Sequence, residues 1–575
     1  MARKSILIIF GILLLGFLIR IYKIDNTSLF GDELDFGYQA LSFFETGKDY
    51  YGNVFPTYFH SLSEWKTSAF VYTLSPFVGI FGVNNLGVRL PSIIFGTLTL
   101  LFIYLLTKEL TRNDFLALVA AFFMSIVPWH VHYSRIGFET SEMLFTYIAG
   151  IYFFYKALGF ASSAYKAQTN YKLLPFSAFF LAVSFVVYRT QLIFVPGTLL
   201  LLVLSFRKEL LSISKKYLVF SILIFLIISL PYAYQTFLGP GSQRFSTISI
   251  FDSEKMNYDV GILRTEDEKY QKTNLLTRLS SQFFHNKYTY FSDIIANNIF
   301  EAYSTEFLFV SGDPNPRHNV PGQGELYKYQ FIFLLIGLFL FVDKKINRRS
   351  KILILSWLIL SPLSSSLTRD GANHATRLFM LLLPFSIIFS YGVYFVYTRL
   401  KTKITRKLFW VVFAGVSLIF LVNFLHIYFI HYPSASEDWW PSGFKEAIDA
   451  AILEEGNFDR IIISSASQPA EIFFLAWSAY PPKNFQNNLF AKKFDLKGFG
   501  RVSELDKFLF TETGVGKDLY SLSKDLPNGY LYLATAKEIS LDLVAEPERI
   551  PSDLRLVKTT TYPSGRPAYY LFSKK

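Results

Sequence analysis

Apolar residues in this chain run in long blocks instead of alternating with polar ones. The blocks 5–23, 90–107, 114–128, 141–158, 173–188, 191–206, 217–236, 328–342, 351–367, 377–398 and 408–430 approach or reach the ~18–20 residues that cross a bilayer core. The pattern predicts a polytopic α-helical membrane protein with about 11 transmembrane helices. A further apolar block, 67–82, is decided by charge. If it does not cross, the connections 1–4, 108–113, 159–172, 207–216, 343–351 and 399–407 share one side. They hold the basic clusters Lys344-Lys345, Arg348-Arg349-Ser350-Lys351 and Arg399 through Lys407. The positive-inside rule then places the N-terminus in the cytoplasm, and 67–82 becomes a re-entrant or interfacial helix. The opposite, extracytoplasmic side receives the outer loops 24–89 and 237–327, the short loop 129–140 and everything after 430.

Beyond His431-Tyr432-Pro433 the pattern changes. Residues 434–575 are charged and mix helical and strand periodicities, with a helix over 443–454 and strands over 460–464, 530–534 and 568–572. This predicts two domains: a transmembrane domain, 1–430, and an extracytoplasmic α/β accessory domain, 431–575.

Composition sharpens this picture. Phe and Tyr number 62 and 36 among 575 residues, an aromatic load suited to lipid and not to a soluble chain. There is no cysteine, which excludes disulfides, thiolate metal sites and a Cys nucleophile. The first block lacks a small-residue cleavage site and reads as a retained helix. The net charge of +12 is accounted for by the cytoplasmic loops and anionic lipid, with no need of nucleic acid. Apart from edge residues such as Glu142 and Lys156, the spans carry no Asp, Glu, Lys or Arg at mid-depth. That weighs against an ion-coupled transporter or proton relay.

The chemistry-bearing residues gather on the extracytoplasmic side. Asp32, Glu33 and Asp35 follow the first span closely, where a membrane-bound substrate presents its head group. Glu64-Trp65-Lys66 precedes the interfacial helix. Between the third and fourth spans lies 130–142, with Arg135, Glu139 and Glu142; Thr140-Ser141 caps the next helix, and Glu142 suits its dipole. The segment 368–377 offers Arg369, Asp370, His374 and Arg377, and a guanidinium matches phosphate oxygens bidentately. The Pro- and Gly-rich run 312–325 reads as an ordered turn, either a lid or wall over a site or an entry loop.

These motifs, in this order, resemble family 39 glycosyltransferases of the GT-C class, which include protein O-mannosyltransferases and lipid A aminoarabinose transferases. The likeness covers 1–430 and rests on the Asp32-Glu33 pair, on Lys66 before the apolar segment, and on 81–92 (FGVNNLGVRLPS) leading into the next span. It continues with Ser134-Arg135 and Glu139, then with His374 to Arg377. The resemblance implies transfer of a sugar from a polyprenyl-phosphate donor to an acceptor protein, lipid or glycan on the outer face, without a nucleotide-sugar. It assigns catalysis to Asp32, Glu33 and Glu139, the last standing where relatives commonly have Asp. It assigns the carrier phosphate to Lys66, Arg135 and Arg377.

The chemistry agrees with that expectation. A sugar leaving as a phosphate monoester departs as a stabilised anion, so cations near the phosphate matter more than a general acid, and the incoming hydroxyl needs a base. Asp32 as base gives direct displacement with inversion. A retaining route would need a second carboxylate as nucleophile, for which Glu33 and Asp35 stay open. No metal site is assigned, although a divalent metal held by Asp32, Glu139 and a histidine such as His60 is compatible with the ligand types. Two other classes stay open, a lipid-linked glycan flippase and a non-catalytic polyprenyl-phosphate-binding scaffold; the second has no need of Asp32. Low Cys with high Ile, Phe and Lys points to a prokaryotic plasma membrane.

Overall fold

The computed structural model describes residues 3–62, 64–160, 169–239, 249–270, 274–466, 468–488, 492–494, 500–511 and 518–575. The chain divides into two compact units. One comprises Met1–Phe17, Gly96–Tyr133 and Thr140–Val422, the other Leu18–Phe95, Ser134–Glu139 and Asn423–Lys575.

The first unit is helical. Over the described residues of the whole chain, five helices are long and apolar enough to cross a membrane: Lys4–Ile21, Asn85–Thr111, Lys215–Phe237, Ala375–Arg399 and Lys403–Ala435. Several of the other predicted spans are shorter helices, such as Asp114–Ile126, Gln191–Ser205 and Gln330–Phe341. A helix of 13 residues, the length of Asp114–Ile126, rises about 20 Å against a hydrocarbon core of ~30 Å. By length alone a helix of that size does not reach across the core. Helices in this unit approach closely through small residues. A Cβ on Gly392 would lie 1.9 Å from the Phe333 carbonyl oxygen, so the backbones of Gln330–Gly337 and Leu382–Arg399 meet where glycine admits them. Polar side chains bind across the helices as well, as where the Trp357 indole donates to the Tyr147 hydroxyl at 2.6 Å.

The second unit combines the first long loop with the C-terminal segment. Helix α1 (Arg3–Ile21) leads to α2 (Gly31–Thr46), then to a hairpin of β1 (Tyr58–His60) and β2 (Trp65–Thr67), α3 (Ser68–Phe81) and α4 (Asn85–Thr111). With 14 residues, α3 is short for a span, in keeping with the charge argument. The C-terminal segment forms β3 (Arg460–Ser464), β4 (Lys492–Phe494), β5 (Gly500–Val502), β6 (Glu504–Leu505), β7 (Phe508–Thr511), β8 (Tyr530–Thr535), β9 (Leu554–Thr561) and β10 (Pro567–Lys574). Six of these make one sheet in the order β6-β7-β3-β8-β10-β9. β3 runs parallel to β7 and β8, and β10 runs antiparallel to both its neighbours. The strands expected at 460–464, 530–534 and 568–572 are its three central members. The helix expected at 443–454 is Phe444–Leu453.

One hydrophobic core serves both parts. Leu34, Phe36, Tyr38 and Phe70 of the first loop are buried with Phe444, Ile463, Phe473 and Leu571 of the C-terminal segment. The Tyr38 hydroxyl donates to the Tyr480 carbonyl at 2.8 Å, and the Gln486 amide to that of Asp49 at 2.9 Å. The early loop and the late segment are thus packed as one body, although the change of composition at 430 separates them in sequence.

Candidate functional site

The N-terminus of α2 sets the geometry. Phe30, extended, caps it, and the Phe30 amide donates to Glu33 Oε2 at 3.3 Å. Acids in a first helical turn are favoured by the helix dipole. Asp32 and Asp35 stand three apart and share a face, while Glu33 turns away. That spacing divides the acidic cluster into two sites.

On the shared face lies Lys66, presented by β2 opposite Phe59. Its Nζ is 2.6 Å from Asp32 Oδ1, 2.9 Å from Glu64 Oε1 and 3.6 Å from Asp35 Oδ2. The ammonium also lies 4.7 Å from the Phe36 ring centre. Burial acts to discharge Lys66, but the Asp32, Glu64 and Asp35 carboxylates outweigh it and hold the lysine well above the usual range. Asp35 is raised by burial against the pull of Lys66; it accepts from Tyr50 at 2.9 Å and from Ser61 at 2.6 Å. Asp32 is the open member, its side chain 42% exposed against 4% for Lys66. A carboxylate that is both held and reachable can take a proton from an incoming group.

Glu139 is turned to the same charges: burial pushes its carboxyl up to about 8, and Lys66, Asp32 and Glu64 are the ionic groups that act on it. Its Oε2 is buried with no hydrogen-bond partner, an environment that favours the protonated form. The sign of the pH effect follows. Between about 4.5 and about 8 the unfolded chain has lost this proton and the folded chain keeps it, so stability falls as pH rises through that window. Thermal melts at both ends should show Glu139→Gln losing less stability with rising pH than the wild type. Equal pH responses would mean that the carboxyl is ionised in place.

On the other side of α2, Glu33 is fully buried and fully engaged. Arg89 grips it with Nε to Oε1 and Nη2 to Oε2, both at 2.8 Å, and the Gly137 amide donates to Oε1 at 2.7 Å. Arg89 also donates to the carbonyls of Ile24, Thr27 and Ser28 at 2.9–3.0 Å, and its guanidinium faces the Trp440 ring at 5.6 Å. Position 137 needs glycine, because a Cβ there would lie 2.4 Å from Val88 Cγ1 and 3.2 Å from Glu33 Oε1.

Arg135, expected at a phosphate, closes the end of α1. Its Nη1 donates to the carbonyls of Ile19 at 2.8 Å and Arg20 at 2.7 Å, and Nη2 to that of Lys23 at 2.7 Å. The rings of Phe429 and Tyr428 lie 4.8 and 5.2 Å from its guanidinium carbon. Arginine here satisfies helix-end carbonyls.

Arg377 belongs to the first unit. It forks onto Asp370 at 2.5 and 3.2 Å and donates to Thr368 Oγ1 at 2.5 Å. Asp370 is 63% exposed and Arg377 10%, so the acid is the partner that can swing aside. Beside them, Asp313 of the Pro- and Gly-rich turn accepts from the Ala375 amide at 2.8 Å. That turn is therefore tied to the segment before Arg377. His374 is pressed down to about 3 by burial and by Arg377, and is neutral.

The structure thus gathers Asp32, Lys66 and Glu139, and sets Glu33 and Arg135 in buried hydrogen-bonded frames. Sequence reasoning gave Arg89 no role. Its signal was an arginine in an otherwise apolar approach to a span, which reads equally as a snorkelling side chain. His60, weighed as a metal ligand, is stacked between Tyr51 and Trp65 with ring centres 4.0 and 4.3 Å away.

Residues 66–234 match the family model described as dolichyl-phosphate-mannose-protein mannosyltransferase. Dolichyl-phosphooligosaccharide-protein glycotransferase 2 of Pyrococcus furiosus is 31% identical over 118 residues, which is 20% of this chain and 14% of that protein. The chain thus spans a small part of that curated relative's length. Among solved structures, ArnT from Cupriavidus metallidurans, bound to undecaprenyl phosphate, matches with a TM-score of 0.53 and 10% identity over 99% of this chain and 98% of that one. The Archaeoglobus fulgidus oligosaccharyltransferase tethered with an acceptor peptide gives 0.50 and 13%, over 99% and 74%. At these identities the likeness is one of fold, and that fold is the GT-C fold expected from the motifs.

Proposed function

We propose that the chain is a membrane glycosyltransferase that moves a sugar from a polyprenyl-phosphate carrier to an acceptor hydroxyl on the extracytoplasmic face of a prokaryotic plasma membrane. The observation that carries this reading is the open Asp32 carboxylate held 2.6 Å from a buried Lys66. The family-model match and the fold of the two solved neighbours support it. On this reading Asp32 takes the proton of the acceptor hydroxyl, whose oxygen forms the new bond to the anomeric carbon. The bond from that carbon to the carrier phosphate breaks, and the phosphate monoester leaves with the electron pair, inverting the centre. Glu139, protonated, donates a hydrogen bond to sugar or phosphate. Glu33 and Arg135 hold the frame and take no part in bond making. A phosphate competes with Asp370 for Arg377, an exchange eased by the exposure of Asp370. About 11 spans, the N-terminus in the cytoplasm and residues 431–575 outside complete the proposed topology.

The test uses purified protein in lipid, a panel of radiolabelled polyprenyl-phosphate sugars and total membrane extract as acceptor. Transfer from one donor is the expected result. Arg377→Met should raise KM for that donor about tenfold with little change in kcat, as loss of one charge-assisted contact would. No transfer from any donor, with the carrier still bound, would move the chain to the scaffold or flippase class.

A further inference from the structure

Three side chains outside the acidic cluster converge without having been given a joint role. Asp313, His318 and His374 each offer one ligand atom, and these atoms all lie within 4.8 Å of one another. Asp313 Oδ2 is 3.2 Å from His318 Nδ1 and 3.9 Å from His374 Nδ1. The two imidazole rings stand 4.7 Å apart, centre to centre. A hydrogen bond between Asp313 and His318 explains that pair. It does not explain His374, whose Nδ1 is buried without a hydrogen-bond partner and points at the same oxygen from beyond hydrogen-bond reach.

We propose that Asp313, His318 and His374 bind a divalent transition metal of the zinc class. Two imidazole nitrogens and one carboxylate oxygen are a zinc-type donor set, with a fourth position left for water or another oxygen. Magnesium and calcium prefer all-oxygen sites. At Zn–N and Zn–O lengths near 2.0–2.1 Å, tetrahedral ligand atoms sit about 3.3 Å apart. The Asp313–His318 pair already meets that spacing, and a turn of the His374 ring brings in the third atom. Asp313 is held for the task from behind. Its Oδ1 accepts from the Asn315 amide at 2.8 Å, and its backbone amide donates to Glu325 Oε1 at 3.1 Å. Outer contacts of this kind orient first ligands at metal sites. A metal here would pin the 312–325 turn to the segment leading into Arg377.

The experiment titrates chelator-treated full-length protein, carrying an affinity tag free of histidine, with Co²⁺, reading visible absorption and competition by Zn²⁺. One equivalent with the intense bands of a tetrahedral site is expected. Affinity should fall about tenfold or more in Asp313→Asn and in His374→Ala, and His60→Ala should bind as the wild type does. Zn²⁺ should raise the melting temperature of the wild type and leave that of the His318→Ala/His374→Ala variant unmoved. The exposed pair His426 and His431, with Nε2 atoms 3.2 Å apart, supplies the competing location. Binding that survives the double variant and is lost in His431→Ala would overturn the proposal, and so would the absence of stoichiometric binding. Because the readout is metal binding, a negative result here leaves the transferase assay untouched.

Discussion

Asp32→Asn is expected to cut sugar transfer about 10²–10⁴-fold while carrier binding and melting temperature stay close to wild type. The substitution keeps the shape and an oxygen that can accept from Lys66, and removes the ability to take a proton. The lysine is not left uncompensated, because Glu64 at 2.9 Å and Asp35 at 3.6 Å remain beside it. Loss of rate should therefore appear in kcat and not in KM. The measurement is initial transfer rate against donor concentration, paired with direct carrier binding. A variant that transfers at the wild-type rate would remove Asp32 from the mechanism and leave Glu64, Asp35 and Glu139 as the acids of the cluster.

Arg89→Ala should be the most damaging single change to the folded chain, at about 3–5 kcal/mol. Arg89 is 1% exposed and Glu33 0%. Truncation leaves a buried carboxylate with two backbone amides, those of Gly137 and Phe30, as its donors among the bonds described above, and three loop carbonyls lose a donor at once. The double change Glu33→Gln/Arg89→Met should cost less than Arg89→Ala alone, since it removes both charges together. Arg89→Lys should fall between, because an ammonium cannot reproduce the fork. Melting curves of the three variants and the wild type in one detergent decide the order, and an Arg89→Ala protein as stable as wild type would show the pair to be dispensable.

The contrast between Asp32 and Glu33 shows how far the sequence could be read. The lysine ahead of α3 and the 14-residue extent of that helix follow from the apolar block and its flank. The central strands of the C-terminal sheet follow from alternation. What spacing does not give is direction. Neighbouring positions on a helix point about 100° apart, so one acid meets Lys66 in the open and the next meets Arg89 in the core. Arg135 makes the same point: a guanidinium fits a phosphate and a set of backbone carbonyls equally well, and the end of α1 is invisible from residue 135 in the sequence. The strands β6, β7 and β9 were not foreseen. β7 gains its order from pairing with β3, far back in the chain, β6 is only two residues long, and burial in β9 is irregular enough to blur any alternation.

The core shared by α2 and the sheet has a consequence for biosynthesis. Residues 31–46 leave the ribosome long before β10, an interior strand of the sheet. Contacts of such sequence separation close slowly and only after the intervening chain is in place. The acidic loop must therefore wait for its packing partners through the insertion of the helical unit, with Tyr38 and Phe36 still unburied. Translation acts as a timer under this arrangement: the carboxylate that would do chemistry is fixed in position only once β10 has followed, and a product stalled before that strand keeps its charges but has nothing to hold them still.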